Sequence, residues 1–179
     1  SKIKEELNKE NIYLSSANSI NIGRLLPQIV YYFYSYKDLV KNKKIDAGEK
    51  ISFCVPTGNF GDILAGYYAK EMGLPVDKLV IASNDNNVLT DFFTTGTYDA
   101  NRDLVKTISP SMDILVSSNL ERLIFHKSSD DLVKEKMNDL RDKGVFDFEG
   151  DFKEFLCGYA NEDETRETIK KVFEEENYL

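Results

Sequence analysis

A strand-like run, a glycine-rich turn and a helix-like segment follow one another at residues 51–73, and their order constrains the fold most. The run "ISFCVP" at 51–56 is almost continuously apolar, which is typical of a strand buried on both faces of a parallel sheet. After the turn "TGNFGD", apolar residues recur at helical spacing up to Gly73, which we expect to end the helix. The run "KLVIAS" at 78–83 predicts another buried strand. We therefore expect two strands that pair in parallel across a connecting helix.

The rest of the chain alternates in the same way. A long amphipathic helix starts near Ile22, and we expect Pro27 in its first turn. Short strands are expected at 11–16 and within 144–152. Further helices, bounded by N-cap residues and closing glycines, are predicted at 87–96, 118–127, 128–144 and 161–176. This alternation predicts an α/β fold with a mostly parallel sheet flanked by helices, in one domain over residues 1–179.

Composition limits the partners of the chain. It has 179 residues and a net charge of −8, and this acidity argues against nucleic acid or an anionic membrane as the main partner. No run approaches the roughly 20 apolar residues of a membrane-spanning helix, and the polar N-terminus is unlike a signal peptide. Cys54 and Cys157 lack metal-ligand spacing, and Cys54 is expected to be buried and inert. These features predict a cytoplasmic protein and leave an anionic small molecule as a candidate ligand.

The turn "PTGNFGDI" at 56–63 has the composition of an anion-binding site. The first backbone N–H groups of a helix lack intrahelical partners and together carry about half a positive charge. Gly58 and Gly61 would let the backbone approach an anion, since no Cβ intervenes and a positive φ is allowed. The spacing fits neither a nucleotide P-loop nor a three-glycine dinucleotide turn. The alternative is a purely structural turn with Asp62 near the helix N-terminus; if a phosphate binds, Asp62 should point away from it.

Polar residues before the long helix form a second candidate anion site. The cluster consists of Ser15, Ser16, Asn18, Ser19 and Asn21, and Arg24 follows it. A helix N-terminus, hydroxyl and amide donors and a guanidinium group together suit a phosphate. The alternative is that Ser19 or Asn21 only caps the helix while Arg24 is exposed. Two such turns on one α/β sheet predict two phosphates in one crevice.

Five motifs resemble those of threonine synthase, of the long-chain type found in many bacteria and yeasts. They are "NSINIGR", "LLPQIVYYFYSY", "PTGNFGDILAGYYAKEMGLP", "SNDNNVLTDFF" and "ISPSMDILVSSNLERLIF". They occur in the same order with similar spacing, cover most of residues 10–125, and are highly specific together. The resemblance implies part of the large domain of a fold type II pyridoxal-phosphate enzyme. Such a lyase of threonine biosynthesis converts O-phospho-L-homoserine and water into L-threonine and inorganic phosphate.

The resemblance also implies which residues contact the two phosphates. The phosphate of the cofactor, pyridoxal 5'-phosphate, would be held by Gly58, Asn59, Phe60, Gly61 and Asp62. The phosphate of the small-molecule substrate would contact Asn18, Ser19 and Arg24. This assignment agrees with the two anion sites that the residues themselves indicate.

One part of the family pattern is missing from these 179 residues. The family's Schiff-base lysine lies in an N-terminal motif of the type H-G-P-T-x-A-F-K-D, which the sequence does not contain. We therefore expect an internal fragment, without the N-terminal domain and the extreme C-terminal part. It should be inactive by itself, because no lysine carries the cofactor or moves protons. We also expect the uncovered crevice to expose Phe60 and Ile63 and to favour self-association.

Two other interpretations stay open at this point. Another fold type II enzyme, such as an amino-acid dehydratase or sulfhydrylase, would share the glycine turn without needing the site at Ser19 and Arg24. A non-enzymatic α/β module that binds an anionic metabolite or a protein is the second alternative. The asparagines at 84–87 are expected either to line the crevice or to form a turn with a helix cap, and His126 is not expected to be catalytic.

Overall fold

The computed structural model describes residues 2–13, 18 and 20–178. Its strands are β1 (Ile51–Pro56), β2 (Val76–Ser83), β3 (Thr97–Asp99), β4 (Val145–Asp147) and β5 (Phe155–Tyr159). Its helices are α1 (Lys2–Lys9), α2 (Ile22–Lys41), α3 (Gly61–Glu71), α4 (Val88–Thr95), α5 (Leu120–Lys127), α6 (Asp130–Lys143) and α7 (Glu162–Glu176). The predicted α/β class with a mostly parallel sheet is confirmed.

The main sheet has the strand order β1–β2–β5, and both pairings are parallel. The central strand β2 buries Val76, Leu79 and Ile81, as its apolar run predicts. A separate antiparallel pair joins β3 to β4. The carboxyl ends of β1 and β2 therefore lie at the same edge of the sheet, where ligands bind in open α/β folds.

Strand β1 differs from its prediction. Its residues alternate between the interior and the surface: Val55 is buried and Phe53 half-buried, whereas Ser52 and Cys54 are exposed. The strand lies at an edge of the described sheet. Its buried face packs against helices, and Phe53 meets the Tyr32 ring of α2 there. The expectation that Cys54 is buried is wrong, because it belongs to the other face.

Helix α2 begins where its periodicity predicts. Asn21 is its N-cap, and the Asn21 side chain accepts a hydrogen bond from the Gly23 N–H at 2.9 Å. Pro27 lies inside the helix instead of in its first turn. A proline has no N–H, so the helical hydrogen bond to the carbonyl of residue 23 is missing. The helix nevertheless continues past Pro27.

Helix α3 is the most deeply buried helix of the described chain. Ile63, Leu64 and Ala65 are fully buried, and the helix ends as predicted at Gly73, whose φ is +100°. The N–H of Gly73 bonds to the Lys70 carbonyl, and that of residue 74 to the carbonyl of residue 69. These two bonds form a Schellman motif, which satisfies the last carbonyl groups.

The expected exposure of Phe60 and Ile63 is wrong. Phe60 is 1% exposed: it stacks on Phe93 and packs at a tilt against Phe155, with ring centroids 5.8 and 5.9 Å away. Ile63 is 0% exposed. Exposed apolar side chains lie instead on α2, at Leu26, Val30, Tyr31 and Tyr34. The Phe60 ring of the glycine turn is covered by the chain's own α4 and β5, so its burial does not depend on another domain.

Some elements were not predicted. Strands β3 and β5 have no clear signal in the sequence, because each is short and depends on pairing with a neighbour. Of the strand expected at 11–16, residues 11–13 form a turn and irregular backbone, and the others lie outside the described residues. No helix in the described part of the chain has the length and apolarity needed to span a bilayer.

Candidate functional site

The glycine turn, residues 58–61, connects the carboxyl end of β1 to α3. The Thr57 N–H donates to the Ala82 carbonyl at 2.8 Å, so pairing with β2 continues up to the turn. The left-handed residue of the turn is Phe60, with φ 61° and ψ 9°, whereas Gly58 and Gly61 have no positive φ. The glycines therefore do not supply the left-handed conformation, and burial of the Phe60 ring offsets its backbone strain.

Gly58 is needed because another segment passes close to it. A Cβ at this position would lie 3.0 Å from Ile114 Cδ1 and 3.1 Å from the Ser111 carbonyl oxygen. Both distances are shorter than ordinary contacts of a side chain. The loop that contains Ser111 and Ile114 thus packs directly on the backbone of the turn.

The start of α5 holds the carbonyl groups of the turn. The Ser117 hydroxyl donates to the Gly58 carbonyl. Asn119 donates twice to the Asn59 carbonyl, from its side-chain Nδ2 at 2.9 Å and from its backbone N–H at 3.1 Å. Asn119 occupies the N-cap position of α5, but its side chain makes no capping bond to the helix. Its side chain donates instead to the Asn59 carbonyl of the glycine turn.

The N–H groups of the turn have no acceptor within the described part of the chain. None of the backbone N–H groups of residues 58–63 makes a hydrogen bond to another described residue. They belong to a left-handed residue followed by the first turn of a helix, an arrangement whose N–H groups can converge on an anion. Since the carbonyl groups are engaged by α5, the turn offers mainly donors.

An open pocket of about 200 Å³ lies over the turn, and Arg24 of α2 contributes to its wall. Residues 56–63 form most of the lining, and Ser111 and Met112 complete it. The structure thus brings Arg24, from one predicted anion site, into the lining of the pocket over the other. Two segments separated by more than thirty residues share a single pocket.

The other residues of the second predicted site are less fully defined. Asn18 is exposed in a turn ahead of α2, and its Oδ1 accepts from the Ile20 N–H at 3.4 Å. Ser19, together with Ser15 and Ser16, lies outside the described residues. Asn21 caps α2, so the capping alternative is correct for that residue. Among the described residues of this site, Arg24 is the one that lines the pocket.

Among the described residues that line this pocket, Asp62 is the one with a carboxylate side chain. Its Oδ1 is buried without a hydrogen-bond partner among the described groups, while the Tyr32 hydroxyl donates to its backbone carbonyl at 2.9 Å. Burial raises the pKa of the Asp62 carboxyl above its usual value, and the nearby Tyr32 hydroxyl partly opposes the rise.

A polar cluster that the sequence analysis did not predict supports the loop over the turn. Asn84 and Asn86 are buried after β2, and their amides donate to Asp113 Oδ1 at 2.8 and 3.1 Å. Asp113 also accepts from the Thr107 N–H at 2.9 Å, and these donors hold the pKa of its carboxyl below the usual value. Asn87 occupies the N-cap position of α4 but makes no capping bond with its side chain. The asparagines therefore brace the neighbouring loop.

No protein-family model matches the chain. Among curated proteins, it is 42% identical to threonine synthase of Saccharomyces cerevisiae over 187 aligned positions, which cover 96% of this chain and 35% of that protein. It is 46% identical to threonine synthase-like 1 of Homo sapiens, over 93% of this chain and 23% of that protein. Among solved structures, pyridoxal-phosphate-bound threonine synthase of Brucella melitensis superposes with a TM-score of 0.87 at 41% identity, over 98% of this chain and 38% of that one.

The fold is that of the fold type II pyridoxal-phosphate enzymes. Within that class, the chain belongs to the threonine synthase family. It spans about a third of the length of the yeast and Brucella proteins.

Proposed function

We propose that the protein carrying this chain is a pyridoxal-phosphate-dependent lyase that converts O-phospho-L-homoserine and water into L-threonine and phosphate. The observation that carries the proposal is the pocket that Arg24 and the glycine turn line together, where the N–H groups of the turn have no acceptor among the described residues. Family membership supports the same reaction. The relatives are longer than this chain and include both threonine synthases and proteins named threonine synthase-like 1, so an assay has to decide the reaction.

The glycine turn fits the phosphate of the cofactor. Its N–H groups have no protein acceptor in the described chain. The adjacent loop lies so close to Gly58 that a side chain at this position would collide with it. Phosphate oxygens are strong acceptors that can take several N–H donors at a helix N-terminus. We assign Gly58, Asn59, Phe60, Gly61 and Asp62 to cofactor binding, the first four through the backbone.

In the proposed reaction, the residues of this chain bind and orient the cofactor and the substrate. Pyridoxal phosphate, when bound, supplies the electron sink that stabilises carbanions of the substrate. The glycine turn would fix the cofactor phosphate, and Asn18, Ser19 and Arg24 would hold the phosphate of the substrate. The residues that move protons would come from other parts of the protein, since the printed sequence lacks the family's lysine motif.

The position of Arg24 favours a threonine-synthase-type reaction, with a phosphorylated substrate, over the reactions of other fold type II enzymes. A dehydratase or sulfhydrylase needs the cofactor turn but no second cation beside it. Arg24 lines the same pocket as the turn, and a guanidinium group suits the geometry of a phosphate. The substrate phosphate is therefore proposed to lie next to the cofactor phosphate.

Two broader assignments belong to the same proposal. Residues 1–179 would form one α/β domain that is a central portion of the enzyme, and another part of the protein would close the crevice. A cytoplasmic location fits an enzyme of amino-acid biosynthesis, and it stays a prediction.

The test is an assay of the full-length protein with pyridoxal phosphate and O-phospho-L-homoserine, following threonine and phosphate release. Arg24→Ala should raise the KM about tenfold or more, because a charge-assisted contact is worth roughly 1.5–3 kcal/mol. Cofactor affinity should stay within about twofold of the parent. Arg141→Ala removes an exposed arginine on α6 and is the matched control. Absence of turnover in the parent would contradict the reaction, and an unchanged KM in Arg24→Ala would contradict the assignment of Arg24.

A further inference from the structure

A continuous set of hydrogen bonds connects the two proposed phosphate-binding segments through α5. Asn119, fully buried, donates twice to the Asn59 carbonyl of the glycine turn. Its Oδ1 accepts a hydrogen bond from Arg122 Nη1. The other guanidinium nitrogen, Nη2, donates to the Ile20 carbonyl at 2.8 Å. Ile20 directly precedes the N-cap of α2, four residues before Arg24.

These contacts join parts of the chain that are far apart in sequence. Asn59 and Asn119 are 60 residues apart, and Ile20 and Arg122 are 102 residues apart. Within the described chain, Arg122 directs one terminal nitrogen to Asn119, which holds the glycine turn, and the other to the Ile20 carbonyl just before α2. A planar guanidinium group holds two acceptors at fixed relative positions, which an ammonium group cannot do.

We propose that Asn119 and Arg122 are positioning residues that set the distance between the cofactor-phosphate turn and the substrate-phosphate segment. Asn119 fixes the turn, and Arg122 fixes the start of α2 relative to Asn119. The inference rests on the proposed function for its two ligands. Neither residue lines the pocket over the turn, so both act through backbone that they hold.

The geometry predicts different effects for the two residues. Removing the Arg122 side chain frees the segment at 20–24 but leaves both bonds from Asn119 to Asn59. It should therefore impair binding of the substrate phosphate and spare the cofactor. Truncating Asn119 removes one bond to the turn and also the acceptor that orients Arg122. That change should impair binding of both phosphates.

The experiment compares Arg122→Met, Asn119→Ala and the control Arg141→Met in the full-length protein. Arg122→Met is expected to raise the KM for O-phospho-L-homoserine about tenfold, with the dissociation constant of pyridoxal phosphate within about twofold of the parent. Asn119→Ala should raise both constants about tenfold. Arg122→Lys should recover little, because one ammonium group cannot hold both acceptors. Arg141→Met should match the parent.

Amide hydrogen exchange of the same variants provides a readout that is independent of activity. Exchange at residues 20–26 should accelerate about tenfold in Arg122→Met, while residues 58–63 keep the parental rate and α7 is unaffected. If exchange at 20–26 is unchanged, or if the KM for O-phospho-L-homoserine and the dissociation constant of pyridoxal phosphate rise together in Arg122→Met, the inference is overturned. A parent that neither binds cofactor nor turns over would contradict the proposed function, and the exchange rates would still decide whether Arg122 holds the segment.

Discussion

Gly58 is required by packing and, in the proposed function, by the cofactor. A larger residue would push against Ile114 and the backbone at Ser111 and Met112, which cannot move without displacing the loop over the turn. Positive φ is not the reason for the glycine, since its φ is not positive. The constraint is the close approach of two backbone segments.

Gly58→Val should weaken binding of pyridoxal phosphate by the full-length protein about tenfold or more. The physical reason is that displacement of the turn removes charge-assisted hydrogen bonds, each worth roughly 1.5–3 kcal/mol. The measurement is cofactor retention followed by absorbance during dialysis. Gly158→Val is the control, because a Cβ at Gly158 meets no atom within 4 Å. Equal retention in Gly58→Val and the parent would refute the cofactor assignment of the turn.

Asp62 should make the protein less stable as the pH rises. Its pKa is raised in the folded state, so between the usual value of 3.8 and the raised value the folded state binds more protons than the unfolded state. The free energy of unfolding therefore falls with rising pH in that window and is flat above it. Thermal unfolding of the parent and of Asp62→Asn between about pH 3.5 and 7 should give a difference that grows in favour of the variant. A difference that moves the other way would mean that the helix N-terminus outweighs burial.

At the scale of elements, α2 and α3 pack so closely that only a glycine fits between them. A Cβ at Gly66 would lie 2.7 Å from Cε1 of Tyr32 and 3.0 Å from Cδ2 of Leu79. The Tyr32 ring is 4% exposed and its hydroxyl is bonded to the carbonyl of Asp62, so the ring cannot swing into solvent without losing that bond. Tyr32 thus connects α2 to the start of α3.

Gly66→Val should lower the free energy of unfolding by about 2 kcal/mol, within the usual range for overpacking a core. Gly158→Val, on the exposed strand β5, should leave it unchanged or slightly higher, since β-branched residues suit strands. Urea unfolding of both variants measures the difference. Destabilisation of the two variants by equal amounts would show that the α2–α3 contact is looser than described.

At the scale of the whole molecule, the 179-residue chain is expected to be inert by itself. It carries the proposed phosphate-binding residues and lacks the family's lysine motif. Mixed with pyridoxal phosphate and O-phospho-L-homoserine, it should release neither threonine nor phosphate, and the cofactor should form only slow adducts with surface lysines. The full-length protein is the positive control. Turnover by the 179 residues alone would show that a residue within them performs the role assigned to the family's lysine.

The elements with strong local signals could be predicted from the sequence. The apolar run of β2, the periodicity of α2 and the closing glycines at 73, 96 and 144 correctly predict where those strands and helices lie. Short strands with weak patterns could not be found in this way, because β3 and β5 form only by pairing with distant partners. Cys54 was misplaced for a related reason. An apolar run does not reveal whether its strand is central or at an edge.

The sequence by itself determined the α/β class, the family and the glycine turn, because these depend on local spacing and on motifs that a chain carries in order. Only the tertiary structure decided that Arg24 shares a pocket with that turn, that Phe60 supplies its left-handed conformation, and that Asn119 and Arg122 connect it to α2. These contacts join residues up to 102 positions apart. No local pattern specifies such distances, since they are fixed by how the helices pack on the sheet.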